Sequence, residues 1–212
     1  MTSPLHVHIV DPDVHRRAKI AFELRELQVH GEIYEGLEEF LASAPATGCV
    51  LLCDEAGAEE FRNLASILDP ASANLPVALY CKAPAPARIV GVMRDGAVDY
   101  LAWPFARDML ETALERLRCE GELRAAKSRT RLSAKARVAR LSARELDVLA
   151  LLMVGDSNKE IAQRLGISPR TVEIHRGNMM RKLRARSGTD AVRIGLLAGL
   201  DGADEELQPL AA

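Results

Sequence analysis

Two aspartates each close a short apolar run: Asp11 ends "LHVHIVD" and Asp54 ends "CVLLCD". Runs of this length, bounded by turn residues, read as buried strands, so both carboxylates are expected at strand C-terminal ends. Two carboxylates meeting there could bind a magnesium ion or accept a phosphoryl group. Pro12 and Asp13 follow Asp11 directly, and two later strand ends bring Cys81, after "VALY", and Trp103, in "YLAWPF". Trp103 is the single tryptophan of the chain. It stands where an α/β protein often carries a charged side chain over its crevice.

A second chemistry is written in "SPRTVEIHRGNMMRKL", residues 168–183. At helical spacing Val172, His175, Met179 and Leu183 share one face, with His175 read as a packing residue. Arg170, Glu173, Ile174, Gly177, Asn178 and Arg181 then face outward. Arg and Asn suit phosphates and purine edges, Glu can accept from cytosine, Ile can meet a thymine methyl, and Gly lets the backbone approach.

The elements that must position these residues divide at mid-chain. Residues 1–126 hold 12 Lys and Arg against 20 Asp and Glu, residues 127–200 hold 16 against 6, and the tail from Asp201 adds four acids. An acidic half joined to a basic one implies that only the C-terminal half meets a polyanion. At 212 residues there is room for two domains, each with its own core. The N-terminus lacks the basic flank and apolar core of a secretion signal, and no apolar run is long enough to span a membrane, so a cytoplasmic protein is expected. Cys49, Cys53, Cys81 and Cys119 show neither metal-ligand spacing nor disulfide density, so reduced thiols are expected.

In the acidic half, strand-like and helix-like segments alternate five times: "LHVHIV" then a helix over 14–29, "EIY" then 37–43, "CVLLC" then 59–68, "VALYC" then 87–95, and "VDYLA" then 109–118. This predicts an α/β doubly wound fold, a five-stranded parallel sheet covered on both faces with its crevice at the strands' C-terminal ends. "RAAKSRTRLSAKARVAR", residues 124–140, reads as a basic, partly helical linker. Beyond it, Ser142 with Glu145 and Ser157 with Glu160 fit capping boxes, and Ser168 precedes Pro169 at a first helical position. Leu146, Leu149, Ala150 and Met153 are expected to form the apolar face of the first of these helices. Only Gly166 and Ile167 separate the second and third, the tight connection of a helix-turn-helix.

"LSARELDVL", "SNKEIAQRLGISPRTVEIHR" and "MRKLRARSGTDAVR" resemble the LuxR-type helix-turn-helix of the NarL/FixJ regulators over about residues 138–199. The resemblance implies an all-α, four-helix DNA-binding domain with a last helix over Thr189–Ala198 that commonly pairs two subunits, and the small apolar strip of Ala191, Val192, Gly195 and Leu196 on that helix is the expected interface. It places Lys159, Thr171 and Lys182 near DNA phosphates, and Arg176 joins the DNA-contacting set. Residues 4–122, with "HIVDPD", "VLLCD" and "GAVDYLAWPF", resemble the receiver domain of response regulators. There an acidic pair holds magnesium, a strand-3 Asp takes the phosphoryl group, a Thr or Ser binds it and a Lys before Pro neutralises it. The phosphoacceptor matches Asp54 and the first acid Asp11. The second acid falls on Pro12, the hydroxyl on Cys81 and the lysine on Trp103, and the loop after Asp54 is shorter and lacks the family's Met-Pro turn. Asp13 is the one nearby carboxylate that could stand in for Pro12.

The resulting layout is a receiver-like domain over 1–122, a linker over 123–140, a LuxR-type domain over 141–199 and an acidic tail over 200–212. The expected function is a DNA-binding transcriptional regulator, homodimeric on double-stranded DNA, that does not depend on phosphorylation. No cofactor is expected, magnesium is not expected to be held, and no membrane is a partner. Trp103 is read either as an apolar plug over Asp54 or as a surface aromatic. Two alternatives stay open: a conventional regulator phosphorylated at Asp54 by a histidine kinase, and an adaptor that sequesters a kinase or another regulatory protein. An enzyme is not expected, since no nucleophile–base pair or Gly-rich phosphate loop is present.

Overall fold

The computed structural model describes residues 5–43, 45–55 and 75–200. The helix expected over 59–68 and the acidic tail from Asp201 lie outside them. The chain divides into two compact units, Met1–Ala126 and Lys127–Ala212.

In the first unit β1 (His6–Val10), β2 (His30–Tyr34), β3 (Cys49–Cys53), β4 (Val77–Cys81) and β5 (Asp99–Ala102) form a parallel sheet in the order β2-β1-β3-β4-β5. Helices α1 (Val14–Glu26), α2 (Leu37–Ser43) and α3 (Pro86–Arg94) follow in chain order, and α4 (Arg107–Val138) begins in this unit and runs past its last residue, Ala126. Strand alternation sorts the buried side chains into two cores. On one face Val7, Ile9, Leu51, Cys53 and Tyr80 pack with Ile20 and Leu24 of α1 and Leu110, Leu114 and Leu117 of α4. On the other, Val10, Val50, Leu52 and Leu79 pack with Phe40 of α2 and Val92 of α3. Both faces of β3 are therefore buried, which explains the unbroken apolar run "CVLLC".

Helix α1 ends at Glu26, three residues short of the expected Val29, because Gln28 turns into the left-handed region (φ 58°) and the amide of Val29 returns to Leu24 O. Helix α4 is longer than expected. The segment read as a partly helical linker continues it to Val138, and Ala134 and Val138 at its end belong to the second unit's core.

The second unit contains α5 (Ala143–Val154), α6 (Asn158–Leu165), α7 (Pro169–Leu183) and α8 (Gly188–Ala198). Both expected capping boxes form: Ser142 with Glu145 starts α5 and Ser157 with Glu160 starts α6. Gly155 and Gly166 take the left-handed conformation that closes those helices. The core joins Val148, Leu149 and Leu151 to Ile161, Val172, Met179, Leu183, Ala191 and Ile194. The expected apolar face of α5 needs one correction: Leu146 is exposed, and the stripe turned inward runs through Glu145, Val148, Leu149 and Leu151. Glu145 holds an inward position because it also completes the capping box.

Candidate functional site

Asp11 and Asp54 are each held by their own arginine. Asp11 is fully buried at the end of β1. Its Oδ2 accepts from Arg16 Nε at 2.8 Å and from the Tyr80 hydroxyl at 2.6 Å. Its Oδ1 accepts from Arg16 Nη2 at 2.9 Å and from the Asp13 amide at 2.7 Å. A carboxylate has about four lone-pair sites, and here all four are used. Arg16 also spans Glu55, with Nη1 and Nη2 at 2.6 and 2.8 Å from its two oxygens, and Nη2 lies 3.4 Å from Cys53 Sγ. Hydrogen bonding to Asp11 pushes the Arg16 guanidinium above its ordinary pKa, so its charge is permanent. Burial and then the Asp11 carboxylate push the Tyr80 phenol up, which keeps it a donor.

Asp54 points to the other face of the sheet. Arg88 on α3 grips it with Nε on Oδ2 at 2.8 Å and Nη2 on Oδ1 at 2.5 Å. The Tyr100 hydroxyl from β5 donates to Oδ2 at 2.6 Å and lies 3.3 Å from Cys81 Sγ. The side chain of Asp54 is 3% exposed. Burial, then the bond to Asp54, holds the Tyr100 phenol above its usual range, and the Asp54 carboxylate does the same for the Arg88 guanidinium.

Trp103 is placed differently from the expected plug. Side-chain alternation along the chain from Tyr100 sends Tyr100 to the α3 face and Trp103 to the α1 face. The indole meets Phe105 edge-on at 5.0 Å and Tyr80 at 6.1 Å, with Lys19 Nζ 5.5 Å above its ring. Its peptide bond to Pro104 is cis. The aromatic bonded to Asp54 is thus Tyr100. Asp13 is engaged as well: its Oδ1 accepts from the amides of His15 and Arg16 as the N-cap of α1. Those amides hold its carboxyl below the usual range.

In the second unit α7 carries the expected face. Arg170, Glu173, Ile174, Gly177 and Arg181 are exposed, Asn178 and His175 are half-buried, and Val172, Met179 and Leu183 are buried. Arg181 donates to Asn178 Oδ1 at 2.8 Å, and Arg170 lies 3.8 Å from Glu173. Thr171 shares a hydroxyl contact with Ser168 at 2.8 Å, and Lys159 is exposed at the start of α6. Two further cations of the expected set are occupied, by residues of other helices or their caps. Lys182 Nζ sits 2.6 Å from buried Glu145, and Arg176 donates to Asn158 Oδ1. The four residues expected to pair subunits also separate. Ala191 and Gly195 are buried, and a Cβ on Gly195 would come within 2.7 Å of Met153 Sδ, whereas Val192 is half-buried and Leu196 is 61% exposed.

Residues 139–194 match the luxR family of bacterial regulatory proteins. The transcriptional regulatory protein FixJ of Bradyrhizobium diazoefficiens is 31% identical over 94% of this chain and 98% of its own length. The chain is a NarL/FixJ-type response regulator. FixJ of Rhizobium meliloti is 34% identical over 91% of the chain and 96% of its own. Among solved structures, full-length FixJ of B. japonicum covers 93% of this chain and 98% of its own at 30% identity and a TM-score of 0.52. The response regulator StyR covers 91% and 98% at 28% identity and a TM-score of 0.65. The receiver-like sheet and the helical DNA-binding domain expected from the sequence are therefore those of this family.

For a NarL/FixJ-type regulator the acid cleft implies a magnesium ion, and the residues present do not fit one. Magnesium demands several oxygen ligands in near-octahedral order. Among the described residues, Asp11 has no lone pair left, Pro12 has no carboxylate, and Asp13 turns one oxygen to the helix cap. Sequence reading identified the acids of this regulator but missed Arg16, Tyr80, Arg88 and Tyr100. A signal for both arginines was present. Arg16 stands one turn before the buried Ile20 and Leu24, and Arg88 one turn before the buried Val92. Each therefore lies on its helix's inward stripe, and the backward tilt of helical side chains aims it at the strand ends.

Proposed function

We propose that this regulator binds DNA without a phosphoryl switch. What supports the reading is the pairing of Asp54 with Arg88 and Tyr100. A phosphoryl group would add roughly two negative charges at that carboxylate. The phosphate-binding hydroxyl and lysine positions hold Cys81 and Trp103, and the guanidinium at hand already neutralises the acid it would have to leave. Breaking this part-buried bidentate pair has a cost, which a transferred group would have to offset here without its usual donors. Control then passes to protein level, to a protein partner or to a small molecule.

In this reading the regulator works in the cytoplasm, on double-stranded DNA, as a homodimer on two-fold sites. Arg170, Glu173, Ile174, Gly177 and Arg181 meet the major groove, with Lys159 and Thr171 on phosphates. Lys182 and Arg176 act mainly inside the domain. Leu196 and Val192 supply the apolar contact between subunits.

The test is DNA affinity with and without acetyl phosphate or beryllofluoride, in the parent and in Asp54→Asn. The expected outcome is an affinity unchanged by either reagent and little changed by the substitution. Tighter binding after treatment in the parent but not in Asp54→Asn would establish the conventional phosphorylated mechanism instead.

A further inference from the structure

The acid cleft of β1 carries an inference independent of Asp54 and its arginine. Asp11 is fully buried and Arg16 is 6% exposed, so neither charge is tolerable alone. Arg16 uses Nε, Nη1 and Nη2 on Asp11, Glu55 and Cys53 Sγ. Its planar fork matches two carboxylates at once, which a lysine ammonium at the same place would not. The guanidinium thus stands among the acids as a cation supplied by the chain itself.

We infer that Arg16 is the permanent counter-ion of this cleft and that it frees the folded protein from any need for a divalent cation. The cation is covalently part of α1, reaches the acids from its first turn, and is anchored by Ile20 and Leu24 on the same stripe. A diffusible ion would have to displace it while also finding replacements for the bonds from Tyr80 and the Asp13 amide. Without Arg16, Asp11 and Glu55 lose the guanidinium that joins their carboxylates, with Arg17 held only on the Asp11 main-chain carbonyl, and stability passes to whichever ion can bridge them.

Full-length protein stripped with chelator and titrated with Mn2+ tests this, read by thermal melting and by fluorescence of the lone Trp103. That indole lies 6.1 Å from Tyr80, whose hydroxyl holds Asp11. Neither signal should move in the parent. Arg16→Gln should melt ~10 °C or more lower in chelator, recover most of that loss with Mn2+, and show Trp103 quenching along the same titration. Arg16→Gln combined with Asp11→Asn removes both charges and should fold without Mn2+ and ignore it. Parent protein that is stabilised or quenched by Mn2+ overturns the inference. So does an Arg16→Gln variant whose melting ignores Mn2+, or one that stays unfolded at every Mn2+ concentration.

Discussion

Glu173 and Arg170 stand one turn apart on the exposed face of α7, 3.8 Å from each other, and the two types read different things. A guanidinium on a phosphate adds affinity on any sequence, while a carboxylate can only accept from a base-edge donor such as cytosine N4. Arg170→Ala is therefore expected to weaken binding to matched and mismatched duplexes alike, by about tenfold if ~1.4 kcal/mol is lost. Glu173→Ala should leave the best site nearly as tight but shrink its advantage over one mismatched base pair by ~1–3 kcal/mol. Fluorescence anisotropy on a set of singly substituted duplexes separates the two, and equal losses from both variants on every duplex would show that Glu173 does not read a base. Ile174, 57% exposed beside Gly177, suits a thymine methyl on the same reading. Residue identity was also the most legible level of the acid clusters. Asp11 and Asp54 stood out because a carboxylate closing an apolar strand is chemically conspicuous. Arg16 and Arg88 did not, since an arginine in a polar helix turn resembles solvated surface until its register with Ile20 or Val92 is considered.

At the scale of elements, one strip of small and apolar residues on α8 divides between an inward and an outward side. Gly195 lets α8 approach α5 closely, against Met153 and Leu149, while Leu196 turns outward. Gly195→Leu is expected to cost ~1–3 kcal/mol by overpacking that contact, visible in chemical denaturation of the full chain. Leu196→Glu should leave that stability within ~0.5 kcal/mol, as surface changes do, and should abolish dimers in sedimentation on a two-fold duplex. Undiminished dimers in Leu196→Glu would move the interface off α8. The helix starts of this domain were readable because capping boxes depend on neighbours three residues apart. What sequence could not separate was Gly195 from Leu196, or Leu146 from Leu149: which apolar residues face the next helix depends on how the helices cross. The same holds for α4, whose continuation to Val138 has no local stop signal and ends only where Ala134 and Val138 meet the second core.

At the scale of the whole molecule, Glu145 gives the second unit a buried carboxylate that responds to acid. Burial pushes its carboxyl up, but Lys182, the Ser142 amide and the Ser142 hydroxyl outweigh it, and the net shift is downward. A carboxylate depressed in the folded state contributes stability above its unfolded value, here the ordinary 4.5, and that contribution is lost as pH falls through the lower folded value. Glu145→Gln is expected to cost ~1–2 kcal/mol at neutral pH and to flatten the stability curve of the full chain below pH 4.5. Parallel curves for parent and variant, measured by urea denaturation across that range, would remove Glu145 from the acid response. The two arginine–carboxylate forks of the first unit have a consequence of another kind. Dissolved ions screen charges standing in solvent and act weakly on buried ones, and Asp11 and Asp54 have almost no contact with solvent. Arg170 and Arg181 of α7 stand in solvent, where counterions compete with every phosphate they would meet. Raising the ionic strength therefore strips this protein from DNA while the forks keep their hold, so that one dissolved salt separates the bonds that read a promoter from the bonds that hold the acids of the first domain.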